Sequence, residues 1–384
     1  MRRITLIDQT IREGMQYQGV VFSYDQRLKI LAFQEALGVD ICQAGYPSAH
    51  PEEAAMVKAL AEHAGQNGFH IRVAALGRAF PPDAKILVDT GIRDVHFHLH
   101  LPPDAPPRES QNTFSQLIPV IDLVRRARPD AVISLAMLDM GKTPLHQLEE
   151  GIRFLGRNRL VDILSLPDTS GVMAPNQVSE RTGHAVALAG DMAVSIHCHN
   201  DLGMASANSV MGVLAGAQML EVSVSGIGER NGIGDLYLTS RILACQGIQT
   251  GFSLDRPDAV RDYYLFVDEI VREQTGQGLI HAATPVFGQA ANTHVAGTHA
   301  KNLYGAGTTP EFHLNLLCGN HLVKKYLTHH HILFQPDQLP FITAAVKQMS
   351  VRKSRRLTAA EVREIVGLLD ETHFKPKNNL QKKI

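Results

Sequence analysis

Eight short runs rich in isoleucine, valine and leucine recur through the first two thirds of the chain. They lie at Ile4–Ile7, Val39–Ala44, His70–Ala75, Val95–Leu99, Val132–Ala136, Val161–Leu166, Ala193–His197 and Met219–Val224. Continuous apolar runs of this length read as strands buried on both faces. Helical patterns lie between them, among them Tyr24–Leu37, His50–His63, Ser115–Ala127 and Pro144–Leu155. Strands alternating with helices predict parallel βα units. Eight such units in roughly 240 residues fit a closed barrel better than an open sheet. A doubly wound sheet is the competing architecture, but no Gly-x-Gly-x-x-Gly follows the first run, which that fold leads one to expect. The expected class is therefore α/β, a (β/α)8 TIM barrel.

The pattern changes near residue 250. The stretch Gly251–Ala259 reads as a linker, followed by a helical pattern at Val260–Thr275 and a loop rich in glycine and histidine at Gly288–Gly307. Two further helical patterns lie at Asp337–Met349 and Thr358–Thr372. The expected organisation is a barrel over residues 1–250 and a mainly helical extension over 251–384.

Composition narrows the function classes. Lys plus Arg number 37 against 38 Asp plus Glu, without the basic excess of a nucleic-acid binder. The four cysteines, Cys42, Cys198, Cys245 and Cys318, form no CxxC pair, so neither a disulfide framework nor a zinc knot is expected. The start is basic but lacks the apolar stretch of a signal peptide. No run of about 18 apolar residues marks a membrane span. A cytoplasmic protein with no membrane or nucleic-acid partner is the expectation.

A barrel demands that chemistry sit just beyond the strand ends, on one rim. The polar clusters fall there: Asp8 to Gln16, Gly45-Tyr46-Pro47, Arg78, Asp139, Asp168 to Gly171, His197 to Asp201 and Gly226 to Gly232. Side chains two apart on a strand point the same way, so His197 and His199 project together into the mouth. Paired imidazoles with a carboxylate suit a transition metal with an open coordination position. Glu13, on the same rim, is the candidate carboxylate, although a structural ion pair with Arg12 is an equal reading of it. Cys198, between the two histidines, faces the barrel wall and reads as core. His96, His98 and His100 alternate along the fourth run; they either line the mouth, where His98 would select substrate, or face the helices.

Asp-x-Thr-x-Arg-Glu-Gly-x-Gln on the first strand, His-x-His-Asn-Asp-x-Gly on the seventh and Gly-x-Gly-Glu-Arg after the eighth resemble the DRE-TIM metallolyases. Those include the 2-isopropylmalate, homocitrate and citramalate synthases, together with lyases and aldolases. Ala291 to His299 looks like the segment that follows the barrel in the synthases. The resemblance implies condensation of acetyl-CoA with a 2-oxo acid at a divalent metal (Mg, Mn, Zn or Co), giving a 2-alkylmalate-type product and CoA. A metal-dependent carbon–carbon lyase or aldolase is the alternative, and a barrel that only binds a metal or a partner is a third. Metal ligands are then Glu13, His197 and His199, with Asn231 displaced by two positions from the family's Asn. Arg12 would stabilise the alkoxide, and Thr169, Gln16, Arg78 and His98 would face substrate. His299 would join the acid–base work, often across a homodimer. Three departures stand out. Leu138 occupies the place read as that of the family's strand-five Glu, leaving Asp139 as a substitute. Thr309 to His313 holds no Tyr where the synthases carry one. Glu229-Arg230-Asn231-Gly232 replaces Glu-Arg-x-Gly-Asn.

Overall fold

The computed structural model describes residues 2–100, 112–295 and 311–373. Eight parallel strands close into a barrel in chain order: β1 (Thr5–Asp8), β2 (Ile41–Gln43), β3 (Arg72–Arg78), β4 (Asp94–Leu99), β5 (Val132–Met137), β6 (Ile163–Asp168), β7 (Ala193–Cys198) and β8 (Met219–Val222). Closure comes from β1, which pairs Ile7 with Ile41 on one side and Thr5 with Met219 on the other. Every apolar run expected to be a strand is one, displaced by two residues or fewer at most ends.

The interior is layered, and the layering follows from the period of two along each strand. Ile7, Ile41, Ala74, Ile163 and Met219, with Val132 and Ala193 packed on them, form one apolar cluster. Seven strands contribute to it, so it closes the barrel from below. Two residues further along stand Gln43, His96, Ser134, Ser165, Ser195 and Glu221, all buried. Two further again come His98, Ala136, Pro167 and His197, then Leu138, Thr169 and His199 at the mouth. The chemistry thus rests on a polar layer supported by an apolar floor.

The loop after β1 is partly helical: α1 (Thr10–Gly14) begins almost at once. Around the barrel run α2 (Tyr24–Ala36), α3 (Pro51–Gln66), α4 (Pro81–Asp89), α5 (Leu117–Ala127), α6 (Leu145–Arg157), α7 (Pro175–Leu188), α8 (Ala205–Leu214) and α9 (Leu236–Cys245). A further helix, α10 (Pro257–Thr275), belongs to the same compact unit, which extends to Leu279. The expected boundary at residue 250 is therefore about thirty residues too early. The reason is packing: the Tyr263 ring stacks on Phe33 of α2 at 5.3 Å, and its hydroxyl donates to Asp8 Oδ2 at 2.9 Å.

The second unit begins at Ile280. Its helices α11 (Asn320–His329), α12 (Leu339–Lys353) and α13 (Ala359–His373) enclose a core that includes Leu322, Val323, Ile342, Val346 and Val362. Cys318 is buried in that core, as Cys198 is in the barrel.

Asp235 caps α9, accepting from Leu238 N at 2.6 Å and from the Tyr264 hydroxyl at 3.1 Å. Burial nevertheless pushes its carboxyl up to about 6. The folded state then holds this proton more tightly than the unfolded chain. Its contribution to stability is fully present below pH 4 and is lost as pH rises toward 6. Asp235→Asn keeps a competent cap, and is expected to remove roughly 3 kcal/mol of stability difference between pH 4 and pH 7. Urea midpoints of both proteins across that range check this; parallel pH profiles would refute it.

Candidate active site

A cavity of about 560 Å³ opens at the carboxyl ends of the strands. Arg12, Glu13, Gln16, His98, Thr169, His197 and His199 all line it. The sequence-predicted residues of α1, β4, β6 and β7 therefore meet in one place.

His197 and His199 approach through their Nε2 atoms, 3.2 Å apart. That separation suits two ligands of one ion, because each metal–nitrogen bond is about 2.1 Å long. His199 is pushed down to about 3 by burial and by the neighbouring imidazole, and its Nδ1 has no partner. Beneath the pair, Glu221 Oε2 lies 3.2 Å from His197 Nδ1. The same carboxylate accepts from Gln9 Nε2 (2.6 Å), Ser165 Oγ (2.6 Å) and Ser195 Oγ (2.8 Å). Burial alone would raise it, but His197 and the two hydroxyls hold it near 2. A carboxylate behind a ligating imidazole fixes its tautomer and orientation. Sequence reading missed Glu221, because it hides inside the apolar run Met219–Val224.

Glu13 is buried, which would raise its pKa, yet Arg12 and the two imidazoles keep it below the usual carboxylate range. Its Oε2 meets Arg12 Nη1, and its Oε1 accepts from Glu229 N at 3.1 Å. Gly228 permits that approach: a Cβ there would stand 2.7 Å from Glu13 Cγ. Arg12 is pinned by further acceptors, Gln43 Oε1 at 2.6 Å, Gln16 Oε1 at 2.8 Å and Gln9 Oε1 at 2.8 Å. Gln43 also contacts His96 Nδ1 at 2.8 Å. Burial lowers His96 to about 4, so it is neutral at ordinary pH.

Glu13 is engaged by Arg12 and a backbone amide, so among the described residues no three His, Cys, Asp or Glu side chains form a ready metal cage. The donor types fit a divalent ion all the same: two facing imidazole nitrogens, one of them backed by a carboxylate, with Glu13 beside them.

Three expectations are corrected. Arg78 does not line the cavity; it makes a bidentate pair with Asp83 of α4, at 3.0 and 2.8 Å. Asp139 sits at φ +58°, and its carboxylate goes to Ser170 Oγ at 2.9 Å and Lys142 Nζ at 3.5 Å. It is absent from the lining, while Ser134, Ala136 and Leu138 present an acid-free strand face. Asn231 is exposed and does not reach the cavity. His299 lies outside the described residues. His98 and His96 both line the mouth, which decides the open question about the fourth strand, whereas His100 is exposed. Thr169 Oγ1 accepts from Asp139 N at 2.9 Å.

The chain is 28% identical over 363 residues to a 2-isopropylmalate synthase of Sulfurisphaera tokodaii, covering 91% of each chain. It is 28% identical over 339 residues to the homocitrate synthase AksA of Methanosarcina mazei, covering 84% of this chain and 79% of that one. The fold matches hydroxymethylglutaryl-CoA lyase from Pseudomonas aeruginosa with a TM-score of 0.59 at 17% identity, over 72% of this chain and 94% of that one. Residues 3–263 match the HMGL-like family. With that match spanning the barrel and its rim motifs and ending within the first turns of α10, the chain belongs to the HMGL-like family.

Proposed function

We propose that the protein condenses acetyl-CoA with a 2-oxo acid in a Claisen-type reaction, releasing CoA and a 2-alkylmalate-type product. The observation that carries this is the meeting of Arg12, Glu13 and the His197–His199 pair in one cavity. Synthase relatives aligned over most of the chain support it.

Glu13, His197 and His199 would hold a divalent ion, Mg, Mn, Zn or Co, which when bound supplies the Lewis acid that polarises the ketone. Arg12 stabilises the oxyanion that forms as the ketone is attacked. Its guanidinium is already fixed by four acceptors, so little reorganisation is needed at the moment of reaction. Thr169 and Gln16 hydrogen-bond the substrate carboxylate. Met15, Leu76, Phe97 and Leu138 add apolar walls that hold water back from the reacting carbon. The family resemblance of Ala291 to His299 supports a homodimer in which His299 takes part in the acid–base work of a partner's site.

A thiol assay with acetyl-CoA and pyruvate, 2-oxoisovalerate or 2-oxoglutarate tests the reaction. CoA is expected to appear only when a 2-oxo acid is present. Cleavage of a 2-alkylmalate or a 3-hydroxyacyl-CoA, without any condensation, would instead establish the lyase reading.

A further inference from the structure

The condensing reaction needs a base for the acetyl methyl group, and strand β5 offers none. Its cavity face is Ser134, Ala136 and Leu138. Among the described residues, every carboxylate lining the cavity is already engaged. Glu13 meets Arg12, Glu53 meets Arg27 at 2.8 Å, Glu229 meets Arg230 at 3.4 Å, and Glu221 is held by its layer of donors.

The imidazoles divide in the same way. His197 and His199 face one another. His96 is buried with Nδ1 on Gln43. His50 is exposed and caps α3 through Nδ1. His98 differs from all of these. It stands near the end of β4, half-buried, with Nε2 3.2 Å from the Tyr46 hydroxyl. No described residue forms a hydrogen bond with its Nδ1. Tyr46 and His98 share the cavity with Arg12.

We propose that His98, anchored through Nε2 by the Tyr46 hydroxyl, is the base that takes the methyl proton of the acetyl thioester at Nδ1. The proposal rests on the condensing reading above. The methyl C–H bond breaks, its proton goes to Nδ1 and its electron pair forms the enolate. The enolate carbon bonds to the ketone carbon, and the ketone π pair moves to the oxygen beside Arg12. The imidazolium then returns its proton to that oxygen, and water cleaves the thioester to a carboxylic acid and a thiol.

The surroundings keep this imidazole neutral. Burial lowers its pKa, and Arg12 and Arg78 act in the same direction against the opposing charge of Asp83. The free base therefore predominates at neutral pH, with its acid limb below that of an ordinary imidazole.

The test compares wild type, His98→Gln and Tyr46→Phe in CoA release, with 2-oxo acid binding followed by calorimetry. For His98→Gln, kcat is expected to fall about 10²–10⁴-fold, the usual contribution of a positioned base. Its affinity for the 2-oxo acid is expected to stay within about threefold, because a base for the other substrate adds little to that binding. The acid limb of the kcat/KM profile disappears, and added imidazole restores part of the rate. Tyr46→Phe keeps the limb and loses less activity. A His98→Gln enzyme with its acid limb intact, or without any response to imidazole, overturns the assignment. A wild type that releases no CoA with any 2-oxo acid overturns the condensing reading and this inference together.

Discussion

Arg12→Ala is expected to lower kcat by about 10²–10³-fold, the usual cost of removing one oxyanion donor. The side chain contacts Gln9, Glu13, Gln16 and Gln43, so it is held in place before substrate arrives. An interaction used only as charge develops lowers kcat and kcat/KM together. Arg12→Lys is expected to recover little, because an ammonium cannot reproduce the planar fork that meets these acceptors. Steady-state kinetics with a saturating 2-oxo acid checks this. A variant whose KM alone rises would show that Arg12 binds substrate and does nothing further.

Glu221→Ala is expected to destabilise the barrel by about 3–5 kcal/mol, the range for breaking a buried charged network. Gln9, Ser165 and Ser195 would each lose an acceptor, and unpaired buried donors are costly. His197 would also lose the group behind its Nδ1. A conservative Glu221→Gln variant keeps the shape and removes the charge. Its expected effect is a divalent-metal affinity weakened about 10–100-fold, as for other carboxylates behind ligating histidines. Denaturation midpoints and metal titration measure the two effects separately. An unchanged metal affinity in Glu221→Gln would reduce the residue to a purely structural role.

The barrel was legible because its strands are buried on both faces, so eight apolar runs stand out from the amphipathic helices between them. The His197–His199 pair was legible for a related reason: alternation along a strand forces residues two apart onto one face. Glu221 obeys the same alternation, yet its meaning depends on serines from β6 and β7 that are far away in sequence. No local pattern distinguishes it from an isolated polar residue in a strand. Arg78 misled because it follows a strand end as an active-site residue should, while its partner Asp83 lies five residues on, in the first turn of α4. Asp139 misled through backbone geometry. Its positive φ is set by the turn after β5 and carries the carboxylate toward Ser170 and Lys142. The extent of the first unit depended on which surface α10 covers, and periodicity shows only that such a face exists.

The central claim is that Glu13, His197 and His199 converge on one divalent ion at the barrel mouth. Anomalous diffraction from crystals soaked in manganese tests it most directly. One strong peak is expected, bounded by the two Nε2 atoms and the Glu13 carboxylate and lost in His197→Ala. A map with no peak among these three side chains, at a manganese concentration that saturates binding in solution, would contradict it.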